Sequence, residues 1–318
     1  MTTYGIELEF CASIPIREFV KFLQKKKINI FYVDPKQPTA NYWKAEKDYS
    51  VLCNGKNRFG SSLKLIEQRG QHADKMHAME IVSPVLKTYK SLSEYLKKMH
   101  SLNITYSINQ TQGFHIHLSN NHLQLPKFNT ESFGTQWITA FCINWTVFED
   151  IILSMHHPNR LVSPHARSLR DNLNYGNRFK EFDTLDSNDA SYSFDYIYKM
   201  FNPARKNYGS GKVYPKGPYH NVNLSHGRNS VVNLANLRID KLGRKGTIEI
   251  RSHEGTVDPK AILLFVKMMK KFFESCYNKK TKKFIDARLL VEKKTGKSYK
   301  VCKNDDLHEI LFNYINLI

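Results

Sequence analysis

Two histidines stand at alternate positions in TQGFHIHLS, residues 111–119. Alternate side chains of a β-strand share a face, so His115 and His117 point one way and Phe114, Ile116 and Leu118 the other. Two more stretches repeat the pattern. In GIELEF, residues 5–10, Glu7 and Glu9 oppose Ile6, Leu8 and Phe10; in TIEIRS, residues 247–252, Glu249 and Arg251 oppose Ile248 and Ile250. Each alone is what a half-exposed antiparallel strand shows. Gathered on one sheet, they present three carboxylates, two imidazoles and a guanidinium to the same side. Carboxylates that close repel one another and shift their ionisation unless cations neutralise them, so a divalent-metal site accounts for all three strands at once. A mainly oxygen donor set with an imidazole suits Mg²⁺, with Mn²⁺ an acceptable substitute, better than zinc. Mg²⁺ usually arrives with phosphates, and Arg251 beside Glu249 is suited to clamp a transferring phosphoryl group.

The intervening sequence supplies elements to hold such strands. Strands are predicted at Thr2 to Cys11, Ile28 to Val33, around Tyr42-Trp43, Tyr49 to Cys53, Ala78 to Val82, His220 to Leu224, Val231 to Leu237 and Gly246 to Ser252. Helical spacing of apolar residues predicts helices over Ile16 to Lys26, Ser91 to Leu102, Phe133 to Met155, Pro259 to Tyr277 and Asp305 to Leu317. Ser91 with Glu94 forms an apparent capping box. Pro158 to Gly217 is expected to be irregular and Arg-rich, with Arg167, Arg170, Arg178 and Arg205 mostly at the surface. Strands and helices mixed without a βαβ rhythm favour an α+β domain on a largely antiparallel sheet.

Composition sets the outer bounds. The chain has 318 residues, 41% hydrophobic and 24% charged, enough to bury a sizeable core. Its five cysteines are scattered without C-x-x-C spacing, which predicts neither disulfides nor a zinc site and favours a reducing, cytoplasmic setting. Glu7 and Glu9 rule out an apolar leader at the start, and polar residues interrupt Phe133 to Met155, so neither a signal peptide nor a membrane span is expected. The net charge of +19 makes anionic partners plausible. Much of the excess sits in Lys-rich runs such as Lys279 to Lys283 and Lys293 to Lys300, which are expected to be solvated faces because aromatic interleaving is missing.

The three strands together resemble the glutamine synthetases: GFHIHLS their G-M-H-x-H-x-S strand, TIEIRSHEGTVDP their I-E-x-R-x-P-D strand and turn, GIELEF their opening E-x-E strand, in the same order. WKAEKDYS (Trp43, Asp48, Ser50), EIVSP (Glu80 to Pro84) and Glu254-Gly-Thr256 resemble the amidoligase branch of the glutamine synthetase-like carboxylate-amine ligases. The resemblance covers about residues 3–277. It implies a glutamine synthetase-like catalytic domain over 1–278, with a curved, largely antiparallel sheet and helices on its outer face, followed by a Lys-rich extension over 279–318. It further implies ATP and Mg²⁺ as cofactors, with Glu7, His115 and Glu249 holding the metal nearer the nucleotide phosphates and Glu9 and Glu80 the metal nearer the substrate. Arg251 would contact the transferred phosphate and His117 the nucleotide phosphates, and Arg160 would bind the substrate carboxylate. Few carboxylates are left for the second metal, so Asp48 or Glu46 must complete its set. A counterpart of the amino-terminal β-grasp domain of glutamine synthetases is not expected ahead of GIELEF.

The implied reaction is ATP-dependent amide-bond formation through an acyl phosphate. Asp48 is a candidate acceptor for the amine's proton, and Lys241, Arg244 and Lys245, in a turn with Gly243 and Gly246, are candidates to reach the phosphates. Ser83-Pro84 is read as a strand terminator that positions Glu80, and His156-His157 as favourable charge at a helix end. The carboxylate and amine stay open: free amino acid, peptide or protein. Two other readings stand beside this one, a metal-dependent nuclease or nucleic-acid binder and a non-catalytic ATP-binding relative.

Overall fold

The computed structural model describes residues 1–33, 41–48, 51–53, 65–70, 75–109, 111–123, 132–156, 166–203, 230–237 and 246–316. Arg160, Arg205, Lys241, Gly243, Arg244, Lys245, Ser50, His157 and the strand expected at His220 to Leu224 lie outside the described residues.

Alternating sequence makes a ten-residue opening strand, β1 (Thr3–Ala12). It is followed by α1 (Ile16–Lys25), β2 (Ile30–Tyr32), β3 (Trp43–Glu46), β4 (Leu65–Arg69), β5 (His77–Val82), α2 (Tyr89–His100), β6 (Tyr106–Asn109) and β7 (Gly113–Ser119). Then come α3 (Ser132–Ser154), α4 (Leu169–Tyr175), α5 (Phe179–Thr184), α6 (Phe194–Phe201), β8 (Val232–Asn233), β9 (Ile248–Glu254) and α7 (Pro259–Glu274). A short hairpin, β10 (Tyr277–Asn278) and β11 (Lys283–Phe284), leads to α8 (Ala287–Thr295) and α9 (Asn304–Ile315).

Nine strands form one open sheet in the order β2-β3-β5-β1-β7-β9-β8, with β6 pairing the far end of β1 and β4 pairing β6. Every pairing is antiparallel except β2 with β3. β1 changes partner along one edge, from β7 over Thr3 to Leu8 to β6 at Cys11 and Ala12, so the sheet branches past Glu9.

The apolar alternates of β1, β5, β7 and β9, among them Ile6, Leu8, Phe10, Ile81, Ile116 and Ile250, are fully buried. α2 and α7 pack on each other, α7 touches β7, and Trp43 of β3 stacks on Tyr95 of α2 with ring centroids 3.7 Å apart. Burying each such side chain contributes roughly 1.5–3 kcal/mol, which makes the polar alternates of the same strands hold their face.

A second layer is built around α3. Its residues are apolar nearly all round, as a helix enclosed by others must be, and α4, α6, α8 and α9 pack against it. No helix among the described residues is long and apolar enough to cross a membrane. Asn144, fully buried in α3, ties in the carboxy-terminal elements. Its Nδ2 donates to Ile285 O at 3.0 Å and to the Tyr314 hydroxyl at 2.9 Å, and its Oδ1 accepts from Ala287 N at 2.7 Å.

Four expectations are corrected. The capping box fails because α2 starts earlier: Thr88 is its cap residue, which puts Ser91 and Glu94 inside the helix. The region after Pro158 is not irregular throughout, since α4, α5 and α6 form there, α4 and α6 capped by Ser168 and Ser193. Arg167 is buried rather than surface-lying, and Arg170 is tied to Asp150 and donates through Nε to Thr146 O at 2.9 Å. Cys11 and Cys53 are disulfide-bonded with Cα atoms 5.7 Å apart, across a sequence separation of 42 that carries no spacing signal.

Candidate functional site

Strand register converts the three motifs into rows that run across the sheet. In the first row Glu46 stands opposite Glu80, Glu80 opposite Glu9, and the next positions are Gly113 and Glu254. The second row is Lys44, Val82, Glu7 and His115. The third is Gly5, His117, Glu249 and Asn233. An irregularity in the β7–β9 ladder between Phe114 and Ile116 lies beside Arg251, and such bulges re-aim side chains.

The side chains converge. His117 Nε2 is 2.9 Å from Glu7 Oε1, and His115 Nδ1 is 3.4 Å from Glu7 Oε2, 3.7 Å from Glu249 Oε1 and 3.8 Å from Glu9 Oε1. Glu7, His117 and Glu249 bring one ligand atom each within 4.8 Å of one another. The resemblance implies His115 for the ion and His117 for the phosphates; both imidazoles lie against Glu7, and His117 is the one that joins Glu7 and Glu249 in this trio.

Each group is oriented by a neighbour. Thr247 Oγ1 lies 3.2 Å from His117 Nδ1, on the ring edge away from Glu7. Gly113 N donates to Glu9 Oε2 at 2.6 Å. Glu249 is paired with Arg251 through Oε1, while its Oε2 accepts from Asn233 Nδ2 at 2.6 Å and from Asn236 Nδ2 at 3.4 Å. Ser83 Oγ accepts from Ile6 N at 2.8 Å and donates to Pro84 O at 2.8 Å, which fixes β5 against β1 and leaves the hydroxyl structural, as expected. Gly255 follows β9 where only hydrogen fits: a Cβ there would sit 2.8 Å from Gln112 Cβ and 3.1 Å from Glu9 O.

Electrostatics follow from burial and crowding. Burial, then Glu7, Glu9, Asp48 and Glu46, push the Glu80 carboxyl well above the usual carboxylate range. Burial also opposes ionisation of Glu249, but the Arg251 guanidinium and His117 outweigh it and hold that carboxyl at about 2. Burial and the Arg251 charge lower His115 to about 4, so it is a neutral imidazole at pH 7, the form that ligates metals. The site therefore holds ionised and reluctantly ionised carboxylates side by side. Positive charge delivered among Glu9, Glu46, Asp48 and Glu80 would relieve the repulsion, and the oxygen-rich set with neutral imidazole fits a hard divalent cation.

Several contributors were not singled out from sequence. Lys44, buried beside the first row, donates from Nζ to Glu46 Oε1 at 2.7 Å. Asn233 and Asn236 belong to β8 and the short helical turn after it, and their polar side chains within an otherwise apolar run, VVNLANL, were the available signal. Glu67 of β4 accepts from Thr256 Oγ1 at 2.8 Å and braces the turn after β9; burial raises its pKa.

No curated protein and no solved structure shows significant similarity to the chain. A model of the family described as "putative amidoligase enzyme" matches residues 1–273, which include every row of the site and the whole sheet. The chain belongs to that amidoligase family.

Proposed function

We propose that the chain is an ATP-dependent carboxylate-amine ligase with a glutamine synthetase-like catalytic domain, forming an amide through an acyl phosphate. The observation that carries this reading is the set of buried and half-buried acid and imidazole rows, with Arg251 among them, in a chain of the amidoligase family. A carboxylate is a poor acyl donor because oxide is a poor leaving group. Phosphorylating it creates a good one, and the protein's share is positioning and charge neutralisation.

Glu7, His115, His117 and Glu249 would hold one Mg²⁺, and Glu9 and Glu80, with Asp48 or Glu46, a second. Bound there, the ions would neutralise phosphate oxygens and draw the nucleotide tail to the sheet face. Arg251 already lies against Glu249 and is the cation suited to the equatorial oxygens of the moving phosphoryl group. His117, held at Nδ1 by Thr247, turns Nε2 toward Glu7, where it would meet the ion or the nucleotide phosphates. Asp48, close enough to Glu80 to raise its pKa, is the candidate that takes the proton from an attacking amine. Arg160, Arg244 and Lys245 keep their proposed roles toward the substrate carboxylate and the phosphates.

The test is hydroxylamine trapping. The chain incubated with Mg²⁺, ATP, hydroxylamine and pooled carboxylates is expected to release ADP and yield a hydroxamate that identifies the acid. Glu249→Ala is expected to abolish ADP release while circular dichroism stays unchanged, and retained turnover in that variant contradicts the assignment. Tight Mg²⁺-ATP binding with no ADP from any pool would point instead to the non-catalytic relative, and steeply salt-dependent binding of DNA or RNA to the nuclease reading.

A further inference from the structure

A second group of ligating side chains gathers at the end of β9, beyond Arg251. His156, in the turn after α3, and His253 and Glu254, at the end of β9, bring one ligand atom each within 4.8 Å of one another. Glu254 Oε2 lies 3.7 Å from His156 Nδ1. That spacing exceeds hydrogen-bond reach. It is close to the separation of about 3.5 Å between two ligands that share a tetrahedral ion at about 2.1 Å.

The surroundings are those of metal-ligating imidazoles, whose second nitrogen is usually engaged by an oxygen that fixes ring and tautomer. Ser252 Oγ lies 3.4 Å from His156 Nε2, so Nδ1 faces the carboxylate. His253 Nδ1 donates to the carbonyl of Glu254 at 2.6 Å, which fixes the second ring and leaves Nε2 as its ligand atom. The two ring centroids are 4.7 Å apart, and Phe265 packs on both, at 5.1 Å from His156 and 4.7 Å from His253. Apolar walls on one side strengthen charge–ligand attraction by lowering the local dielectric. Both histidines are buried, whereas the Glu254 side chain is 19% exposed, so an ion has a route in.

We propose that His156, His253 and Glu254 bind a first-row divalent ion of the zinc class, which ties the end of α3 to the end of β9. Two nitrogens and one oxygen are a borderline donor set that zinc or cobalt prefers and magnesium does not. Three protein ligands leave a fourth position for water. The proposal does not rest on the ligase reading: its imidazoles, its chemistry and its test differ from those of the oxygen-rich rows, which it meets only at Glu254.

The experiment uses the full-length chain, stripped with chelator and carrying Glu7→Ala and Glu249→Ala to disable the principal cluster. Titration with Co²⁺ is expected to give the intense visible bands of a tetrahedral ion at a single equivalent, displaced by Zn²⁺ and not by excess Mg²⁺. Adding His253→Asn should remove the bands. Bands that never appear, or that persist in His253→Asn, overturn the site. Circular dichroism checks each stripped variant. If the double variant does not fold, the titration runs on the unsubstituted chain with Mg²⁺ in excess, compared with Glu254→Gln, where Co²⁺ affinity should fall at least tenfold; unchanged affinity overturns the site equally.

Discussion

Glu249 is held at both of its oxygens. Arg251 engages one, Asn233 and Asn236 the other, and the balance of burial against positive charge keeps the group ionised. Among the described residues Asn233 donates to Glu249 alone of the site carboxylates, so it acts by positioning. Asn233→Ala should weaken Mn²⁺ binding by about 10–100-fold, the usual effect of losing an outer-shell partner, with little change in thermal midpoint. Isothermal titration calorimetry measures it, and wild-type affinity in the variant would deny Asn233 that role. His115 and His117 separate at this scale by their neighbours: Arg251 acts on the first, Thr247 on the second.

At the scale of elements, α3 and the short helix that follows are joined through a buried acid. Glu149 Oε1 accepts from Leu169 N at 2.6 Å and from Trp145 Nε1 at 3.1 Å, and its Oε2 accepts from Arg170 N at 3.0 Å. It thereby takes up two of the orphan N–H groups of α4. Burial nevertheless raises its pKa to about 7, outweighing those hydrogen bonds and the Arg170 charge. A folded-state value above the unfolded one means that the folded chain binds the proton more tightly. Its contribution is therefore full below about pH 4.5 and lost as the pH rises through about 7, amounting to about 3 kcal/mol. Urea denaturation of the wild type against Glu149→Gln should reveal this as a difference whose slope is confined to that interval. A pH-independent difference would contradict it.

For the molecule as a whole, the disulfide and the carboxy-terminal helices decide how separate pieces hold together. Cys11 falls on the same face of β1 as Glu7 and Glu9, and its bond to Cys53 fixes the strand beyond the acid rows to the segment at 51–53. That segment is further held where Asn109 Nδ2 donates to Leu52 O at 2.7 Å. Closing a loop with a sequence separation of 42 is worth about 3–4 kcal/mol in the chain-entropy account. Reduction, or the pair Cys11→Ala with Cys53→Ala, should lower the denaturation midpoint accordingly, and a midpoint indifferent to reductant would deny the bond. Leu307, Ile310, Leu311 and Tyr314 of α9 are buried, so the Lys-rich terminal region, whose charges face outward, is packed on the layer around α3.

The sequence by itself determined the strands of the site and which face of each is polar. The reason is that a period of two survives in any sheet that buries one side. GIELEF, GFHIHLS and TIEIRS needed no partner to declare their faces, and α1, α3, α7 and α9 declared themselves within a few residues through helical spacing. Motifs also carried the family, since residue types in a fixed order are a property of sequence. Only the tertiary structure decided which residues meet. Register placed Glu46 opposite Glu80 and Asn233 opposite Glu249, joined Cys11 to Cys53, and brought His156 to His253. Those pairings close distances between segments well apart in the chain, and no local periodicity encodes them.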